Sequence, residues 1–195
     1  MGRITLEWCS TEQSIFGRPL FVTPQWLAQQ HAEELATDRL RRGTGLAVDL
    51  GLSVCWANYN LGAKSEEQTG YMEAWTNVSG CRDAARDYWA EGWRLPTKGE
   101  FQELMQQCQW NWTAKNGMPG FWIVGSTGNG IFLPACGTIY SGQHDEYGVI
   151  GHYWCSESDS NDNERACAIE FSQQGGDIMN LMKTVGICVR PVTLI

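Results

Sequence analysis

Apolar and polar residues alternate with two different periods, and this divides the chain into a helical N-terminal part and a longer part of short strands. Near the start, Thr23-Pro24 offers a helix N-cap followed by proline at the first helical position. The apolar residues that follow at helical spacing are Ala28, Ala32, Leu35, Ala36 and Leu40. Arginines and Gly43 end the pattern, as is typical of a helix C-terminus. The sequence therefore predicts a helix over about residues 24–42 within an N-terminal extension, residues 1–45.

A second amphipathic helix is predicted to begin at about residue 98. Thr97 and Glu100 stand at the spacing of a capping box, in which each side chain accepts a hydrogen bond from the other residue's backbone N–H. The apolar residues that follow at i, i+3, i+4 and i+7 are Phe101, Leu104, Met105 and Cys108. This spacing places them in one stripe, which we expect to be buried.

From residue 46 onward, short apolar runs separated by glycine and polar residues predict a second domain, residues 46–195, that is rich in strands. In its second half the expected strands are Phe121–Val124, Ile131–Leu133, His152–Cys155, Ala166–Phe171 and Ile187–Val192. Loops 137–151 and 156–165 are the longest, and they carry Tyr, His, Asp and Asn. Because long loops on a compact domain are often functional, these two are the first candidates for a binding surface.

Composition and charge narrow the possible functions. With 22 Gly, ten Trp and 18% charged residues, the chain has the composition of a turn-rich, aromatic-packed fold. Its net charge of -8 argues against nucleic acid as a partner, because affinity for phosphates comes mainly from Lys and Arg. No run approaches the ~20 apolar residues of a membrane span, and the first residues lack the apolar stretch of a secretion signal. We therefore expect neither nucleic-acid binding nor a membrane span.

Eight cysteines are spaced at least 12 positions apart and form no C-x-x-C motif, which argues against a zinc ribbon. Two interpretations remain open. The cysteines are either mostly small buried thiols, or they form a disulfide framework, for which eight cysteines allow 105 connectivities. The sequence contains no Gly-x-Ser-x-Gly elbow, and none of its histidine pairs has metal-ligand spacing. We expect no cofactor.

Several motifs stand in an order that points to a known family. They are Val48–Ala57, Asp83–Ala85 before Gly92–Thr97, Phe132–Ala135, Tyr153–Ser156 and Val189–Val192. Over about residues 46–193 the chain thereby resembles the large paralogous domain family of Bacteroidetes and Fibrobacter. Those domains look like C-type lectin folds, related to formylglycine-generating enzymes and to the variable proteins of diversity-generating retroelements. The resemblance implies an α+β fold of twisted antiparallel sheets with two flanking helices, here with a helical N-terminal extension.

The resemblance also implies a function, that of a non-enzymatic recognition or display protein, diversified by a retroelement in some members. Such a protein would bind an unknown protein or glycan through its C-terminal face. The candidate ligand-binding residues are Ile139, Tyr140, Gln143, His144, His152, Tyr153, Ser158, Ser160, Asn161, Asn163, Arg165 and Cys167. Tyr, Ser and Asn suit this role because they combine aromatic area with adaptable hydrogen bonding. Since strand neighbours alternate in direction, we expect Trp154 rather than Tyr153 to be buried.

Three other functions stay open. In the first, the chain is a structural subunit of a surface or virion assembly, and its N-terminal extension serves oligomerisation. The resemblance to the family implies such a surface or virion location. Or it is a cysteine-oxidising enzyme like the formylglycine-generating relatives, with Cys155 and Cys188 or Cys167 and Cys188 as the reactive pair. The third alternative is a calcium-dependent sugar binder, with Asp159, Asn161, Asn163 and Glu170 as ligands. In this last pattern Glu164 stands where the sharp turn of a calcium loop needs glycine.

Overall fold

The computed structural model describes residues 46–78, 83–89 and 92–194 and shows a fold that is mostly β. Strands account for 44% and helices for 13% of it, in a sheet-rich, sandwich-like arrangement. The predicted α+β class, a C-type lectin-like fold with two flanking helices and a helical extension, is therefore wrong. The predicted helix over residues 24–42, like the rest of the extension 1–45, lies outside the described residues.

Three helices occur in the described part of the chain: α1 (Trp75–Val78), α2 (Ala84–Tyr88) and α3 (Lys98–Gln107). The strands are β1 (Ala47–Val48), β2 (Cys55–Ala57), β3 (Met72–Glu73), β4 (Trp93–Arg94), β5 (Gln109–Lys115), β6 (Met118–Val124), β7 (Gly130–Pro134), β8 (Thr138–Tyr140), β9 (Gln143–Asp145), β10 (Gly151–Ser158), β11 (Arg165–Ser172), β12 (Gly175–Met182), β13 (Ile187–Cys188) and β14 (Val192–Thr193). Helices α1 and α2, with four and five residues, are too short to form a helical layer. Only α3 has the length that the predicted class requires.

The described strands form four sheets. Their strand orders are β1-β2-β14-β4, β12-β11-β10-β13-β3, β5-β6-β7 and β8-β9. Within the five-stranded sheet, β10 and β13 pair in parallel and the other neighbours are antiparallel. The predicted closing strand Ile187–Val192 is two strands, because β13 joins the five-stranded sheet and β14 the four-stranded one. The intervening residues Val189–Pro191 thus connect two sheets.

The capping box at the start of α3 is confirmed. The Thr97 side chain accepts from the Glu100 backbone N–H at 3.2 Å, and the Glu100 carboxylate accepts from the Thr97 N–H at 2.7 Å. The same carboxylate accepts hydrogen bonds from both terminal nitrogens of Arg94, at 2.9 and 2.5 Å. Burial alone would raise the pKa of Glu100, but the hydrogen bonds from Arg94 and Thr97 hold it below its ordinary value. Of the four residues expected in a buried stripe, Phe101 and Leu104 are fully buried, whereas Met105 and Cys108 are only partly buried.

Strand β10 lies between two hydrophobic clusters. Tyr153 and Trp154 are adjacent and both have no solvent exposure, so the prediction for Trp154 is confirmed and Tyr153 is buried as well. Tyr153 belongs to the cluster that contains Phe171, whose ring it stacks on at 5.8 Å. Trp154 belongs to the other cluster, together with Trp89. A strand covered on both faces loses the apolar-polar alternation of a half-exposed one.

Arg190, between β13 and β14, is completely buried. Its guanidinium donates to three neutral oxygens: Asn60 Oδ1 at 3.0 Å, Ala57 O at 3.0 Å and Phe132 O at 2.7 Å. Two of these three acceptors are backbone carbonyls and the third is a side-chain amide. Because Ala57 ends β2 and Phe132 lies in β7, one side chain connects strands of two different sheets.

We expect Arg190→Met to lower the free energy of unfolding by about 3 kcal/mol or more, because it leaves three buried oxygens without a donor. Arg165→Met, a change at an exposed position, is the matched control and should cost less than about 1 kcal/mol. Urea unfolding followed by tryptophan fluorescence measures both. Equal midpoints for the two variants would contradict the structural role of Arg190.

Candidate functional site

The structure separates the predicted ligand-binding residues into a buried set and two surface groups. His152, Tyr153 and Cys167 are at most 4% exposed and belong to the core. The first surface group lies on the β8–β9 hairpin and consists of Ile139, Tyr140, Gln143 and His144. The second lies at or beside the turn 159–164 and consists of Ser158, Ser160, Asn161, Asn163 and Arg165. The predicted loop 137–151 therefore contains a hairpin, and loop 156–165 is shorter than expected.

The two surface groups lie at opposite ends of β10. The hairpin is next to its beginning, where the Gly137 N–H donates to Ile150 O at 2.7 Å. Turn 159–164 follows its last residue, Ser158. Eight residues of strand at roughly 3.3 Å each separate the ends by about 25 Å. One small ligand therefore cannot contact both groups, and each is a separate candidate surface.

The β8–β9 hairpin is fixed to the body of the domain by its backbone. Ile139 and Gly186 exchange two backbone hydrogen bonds of 2.8 Å. His144 Nε2 lies 2.7 Å from Cys136 O, and the His144 ring meets the Tyr147 ring edge-on with centroids 4.9 Å apart. A surface on this hairpin is consequently held in one conformation before any ligand arrives.

Large side chains with apolar area are exposed to solvent on and beside this hairpin. Tyr140, Tyr147 and Val149 are 52%, 57% and 60% exposed. We call these three residues and His144 the hairpin surface. Because Ile139 pairs with His144 and Tyr140 with Gln143, Tyr140 and His144 point to opposite faces of the hairpin, and Tyr147 contacts the His144 ring. Exposed aromatic and apolar groups on a backbone held by hydrogen bonds are typical of recognition sites.

A cavity of about 370 Å³ adjoins the hairpin surface at Tyr147. Its lining residues are Glu67, Gln68, Thr69, Asn116, Gly117, Met118 and Tyr147. Two side-chain contacts join the two segments opposite Tyr147: an ion pair of Lys115 with Glu66, and a 3.1 Å hydrogen bond from Asn116 Nδ2 to Glu67 Oε1. The bond from Asn116 is the main reason why the pKa of Glu67 lies below its ordinary value. The cavity thus offers an ionised carboxylate, amides and a hydroxyl beside an aromatic ring.

Asp159, Asp162 and Asn163 of turn 159–164 accept hydrogen bonds from other groups of the protein. Asp159 Oδ1 accepts from the Asn161 backbone N–H and Asp159 Oδ2 from Asn180 Nδ2, both at 2.8 Å. Lys183 Nζ donates to Asn163 O at 2.7 Å. A ligand that uses these groups has to replace bonds that already exist.

The calcium candidates Asp159, Asn161, Asn163 and Glu170 are not brought together. Glu170 lies in β11, pairs across the sheet with Asp177, and contacts His152 Nε2 at 3.0 Å. It is five residues beyond Arg165, where β11 begins, which corresponds to about 16 Å. Within the residues that the structure describes, no group of three or more His, Cys, Asp or Glu is placed to hold a metal ion.

The six described cysteines are free thiols: Cys55, Cys108, Cys136, Cys155, Cys167 and Cys188. The pairs expected for a cysteine oxidase joined Cys188 to Cys155 or Cys167. Instead, Cys167 Sγ lies 3.1 Å from Cys155 Sγ, and the Cys188 thiol donates to Thr69 O at 3.3 Å. The bond with Cys167 and burial raise the pKa of Cys155, and burial raises the pKa of Cys188. Both therefore stay protonated near neutral pH.

Sequence reasoning missed the cavity. Tyr147 lies inside the predicted loop 137–151, so an exposed aromatic residue there was the one available signal. Glu67 and Asn116 gave none, because they are 49 positions apart and only the folded backbone brings them into contact.

Comparison with known proteins adds no assignment. The chain matches no protein family, no curated protein and no solved structure at a significant level. In the described residues, no helix combines the length and apolarity needed to cross a membrane. The function is therefore argued from the two surfaces themselves.

Alanine substitutions at two glycines test how the β8–β9 hairpin is attached to the rest of the domain. Gly137 and Gly142 both have positive φ, +69° and +79°, so alanine at either costs about 1 kcal/mol of backbone strain. Only at Gly137 would the added Cβ meet a backbone atom, Asp145 O, at 2.0 Å. We expect Gly137→Ala to lower the free energy of unfolding by about 2 kcal/mol more than Gly142→Ala.

Urea unfolding measures the difference, and the NMR signals of His144 and Tyr147 report the local change. They should shift in Gly137→Ala and stay in place in Gly142→Ala. Indistinguishable variants would show that the hairpin does not depend on this close approach.

Proposed function

We propose that this chain is a non-enzymatic recognition protein that binds a protein or glycan through the hairpin surface. The observation that carries the proposal is the exposure of Tyr140, Tyr147 and Val149 on a hairpin fixed to the domain by backbone hydrogen bonds. The hairpin surface includes two of the residues expected to bind ligand, Tyr140 and His144.

Covering the hairpin surface removes apolar area from water, which favours binding. Burying exposed apolar area stabilises a complex by roughly 25 cal/mol per Å², and Tyr brings a large area with few rotatable bonds. The adjacent cavity adds Glu67, Thr69 and Asn116 as hydrogen-bonding groups. A ligand that combines hydroxyl or amide groups with an apolar face fits this combination, and both glycans and peptides do so.

The described thiols give little support to the alternative that the chain is a cysteine-oxidising enzyme. A reactive cysteine has to be a thiolate. In this protein, burial and neighbouring thiols raise the pKa values of Cys155 and Cys188, so these two thiols are poor nucleophiles. Neither pairs with the partner that the oxidase alternative assigned to it.

The binding proposal predicts which residues a ligand needs. On glycan and protein microarrays, Tyr140→Ala/Tyr147→Ala should lose at least tenfold in affinity for whatever the unchanged chain binds, because two aromatic contacts are removed. The matched control is Asn161→Ala/Asn163→Ala, at the other end of β10, which should bind normally. Equal melting temperatures establish that both variants are folded.

Loss of binding in the control but not in the tyrosine variant would move the site to turn 159–164. A chain that binds nothing on either array would contradict the proposed function.

Diversification by a retroelement is a further part of this proposal and has its own test at the DNA level. We expect a nearby imperfect repeat of the segment encoding residues 137–190, differing at template adenines, beside a reverse transcriptase gene. The differences should fall on codons for exposed residues such as Tyr140 and Asn161, and spare those for the buried Tyr153 and Cys167. If the surrounding DNA contains no such repeat, diversification is contradicted and the binding proposal stands on the arrays alone.

A further inference from the structure

Cys155 and Cys167 face each other on neighbouring antiparallel strands. The register of β10 and β11 pairs Gly151 with Phe171 and continues in step to Trp154 with Ala168. It then shifts, and the next pair is Ser158 with Ala166. Cys155 and Cys167 lie directly beside the last regular pair, where this irregularity begins.

The geometry of this pair suits a covalent bond. The two Sγ atoms are 3.1 Å apart, so closure to about 2.05 Å requires a movement of about 1 Å. Neither side chain has to leave the cluster to which both belong.

The other described cysteines have further partners. Cys188 donates to Thr69 O at 3.3 Å and also makes a side-chain contact with Cys136, which lies 3.8 Å from the Tyr153 hydroxyl. Cys108 lies at the end of α3 and is partly exposed. The hydrogen bond with Cys155 lowers the pKa of Cys167, which makes Cys167 the more readily ionised member of its pair.

We propose that Cys155 and Cys167 form an intrachain disulfide when the protein folds in the presence of a low-molecular-weight disulfide such as oxidised glutathione. The Cys167 thiolate attacks one sulfur of the oxidant and releases the first glutathione thiolate, which takes up a proton. The hydrogen bond with Cys167 is the main reason why the pKa of Cys155 is raised, and it is lost once Cys167 carries glutathione. The Cys155 thiol then loses its proton, attacks the Cys167 sulfur and releases the second glutathione thiolate, which takes up a proton. Two protein thiols are oxidised, one small disulfide is reduced, and the two protons end on glutathione.

The bond would close a loop at the base of turn 159–164. This loop includes the bulge residue Glu157, whose carboxylate accepts from the Lys98 backbone N–H at 2.9 and 3.0 Å at the start of α3. The crosslink would therefore fix the second surface group and its attachment to α3. This modification site is distinct from the hairpin surface and does not rest on the proposed function.

The test is to refold the full chain from urea, once with reduced and oxidised glutathione and once with reductant alone, and to map the products by mass spectrometry. Cleavage at Glu146 separates Cys136 from Cys155, and cleavage at Arg165 separates Cys155 from Cys167. We expect one linked pair of peptides, containing Cys155 and Cys167, that reductant releases. The linked pair should be lighter than the two free peptides by two hydrogen atoms.

Matched variants and a stability measurement complete the test. Cys155→Ala should abolish the linked pair, whereas Cys136→Ala should keep it. In the unchanged chain, the oxidised form should melt about 5 °C or more above the reduced form, because closing a short loop restricts the unfolded chain. Alkylation of both cysteines after oxidative refolding, or a link from Cys167 to any other cysteine, would overturn the proposal.

Discussion

The buried guanidinium of Arg190 is the contact on which the assembly of the sheets depends. A charge without solvent is costly unless its donors are all satisfied, and here β2, the segment that follows it and β7 each supply an oxygen. Burial lowers the pKa of Arg190, yet its ordinary value is so high that the group stays charged. Arg190, between β13 and β14, thereby connects the four-stranded sheet, which contains β2 and β14, to the three-stranded sheet, which contains β7.

This arrangement positions β10 and through it both candidate surfaces. Strand β10 pairs with β13 on one edge and β11 on the other, and clusters around Tyr153 and Trp154 cover its two faces. Because β10 is contacted on both edges and both faces, the hairpin at its start and the turn at its end keep fixed positions. The Tyr153 hydroxyl donates to Pro134 O at 2.8 Å, which connects β10 to β7 as well.

The sequence predicts features that depend on neighbouring residues, but not those that depend on contacts between distant segments. The capping box at Thr97 and Glu100 acts over three residues, so it predicted the start of α3 correctly. Strand β12 was missed because most of its residues are exposed at the edge of the sheet, where apolar alternation is weak. The sequence predicts a loop in place of the β8–β9 hairpin, because the second strand, Gln143–Asp145, is entirely polar and exposed. The cavity depends on segments that meet only after folding, and no local pattern encodes that.

The two surfaces differ in what a ligand can gain from them. At turn 159–164, Asp159 and Asn163 already accept hydrogen bonds from the protein, so a ligand exchanges one bond for another at little net gain. At the hairpin surface, Tyr140 and Val149 are hydrated apolar groups, and covering them releases water without breaking a bond. The free energy available for binding is therefore concentrated at the hairpin, while the polar turn is better suited to adjusting specificity.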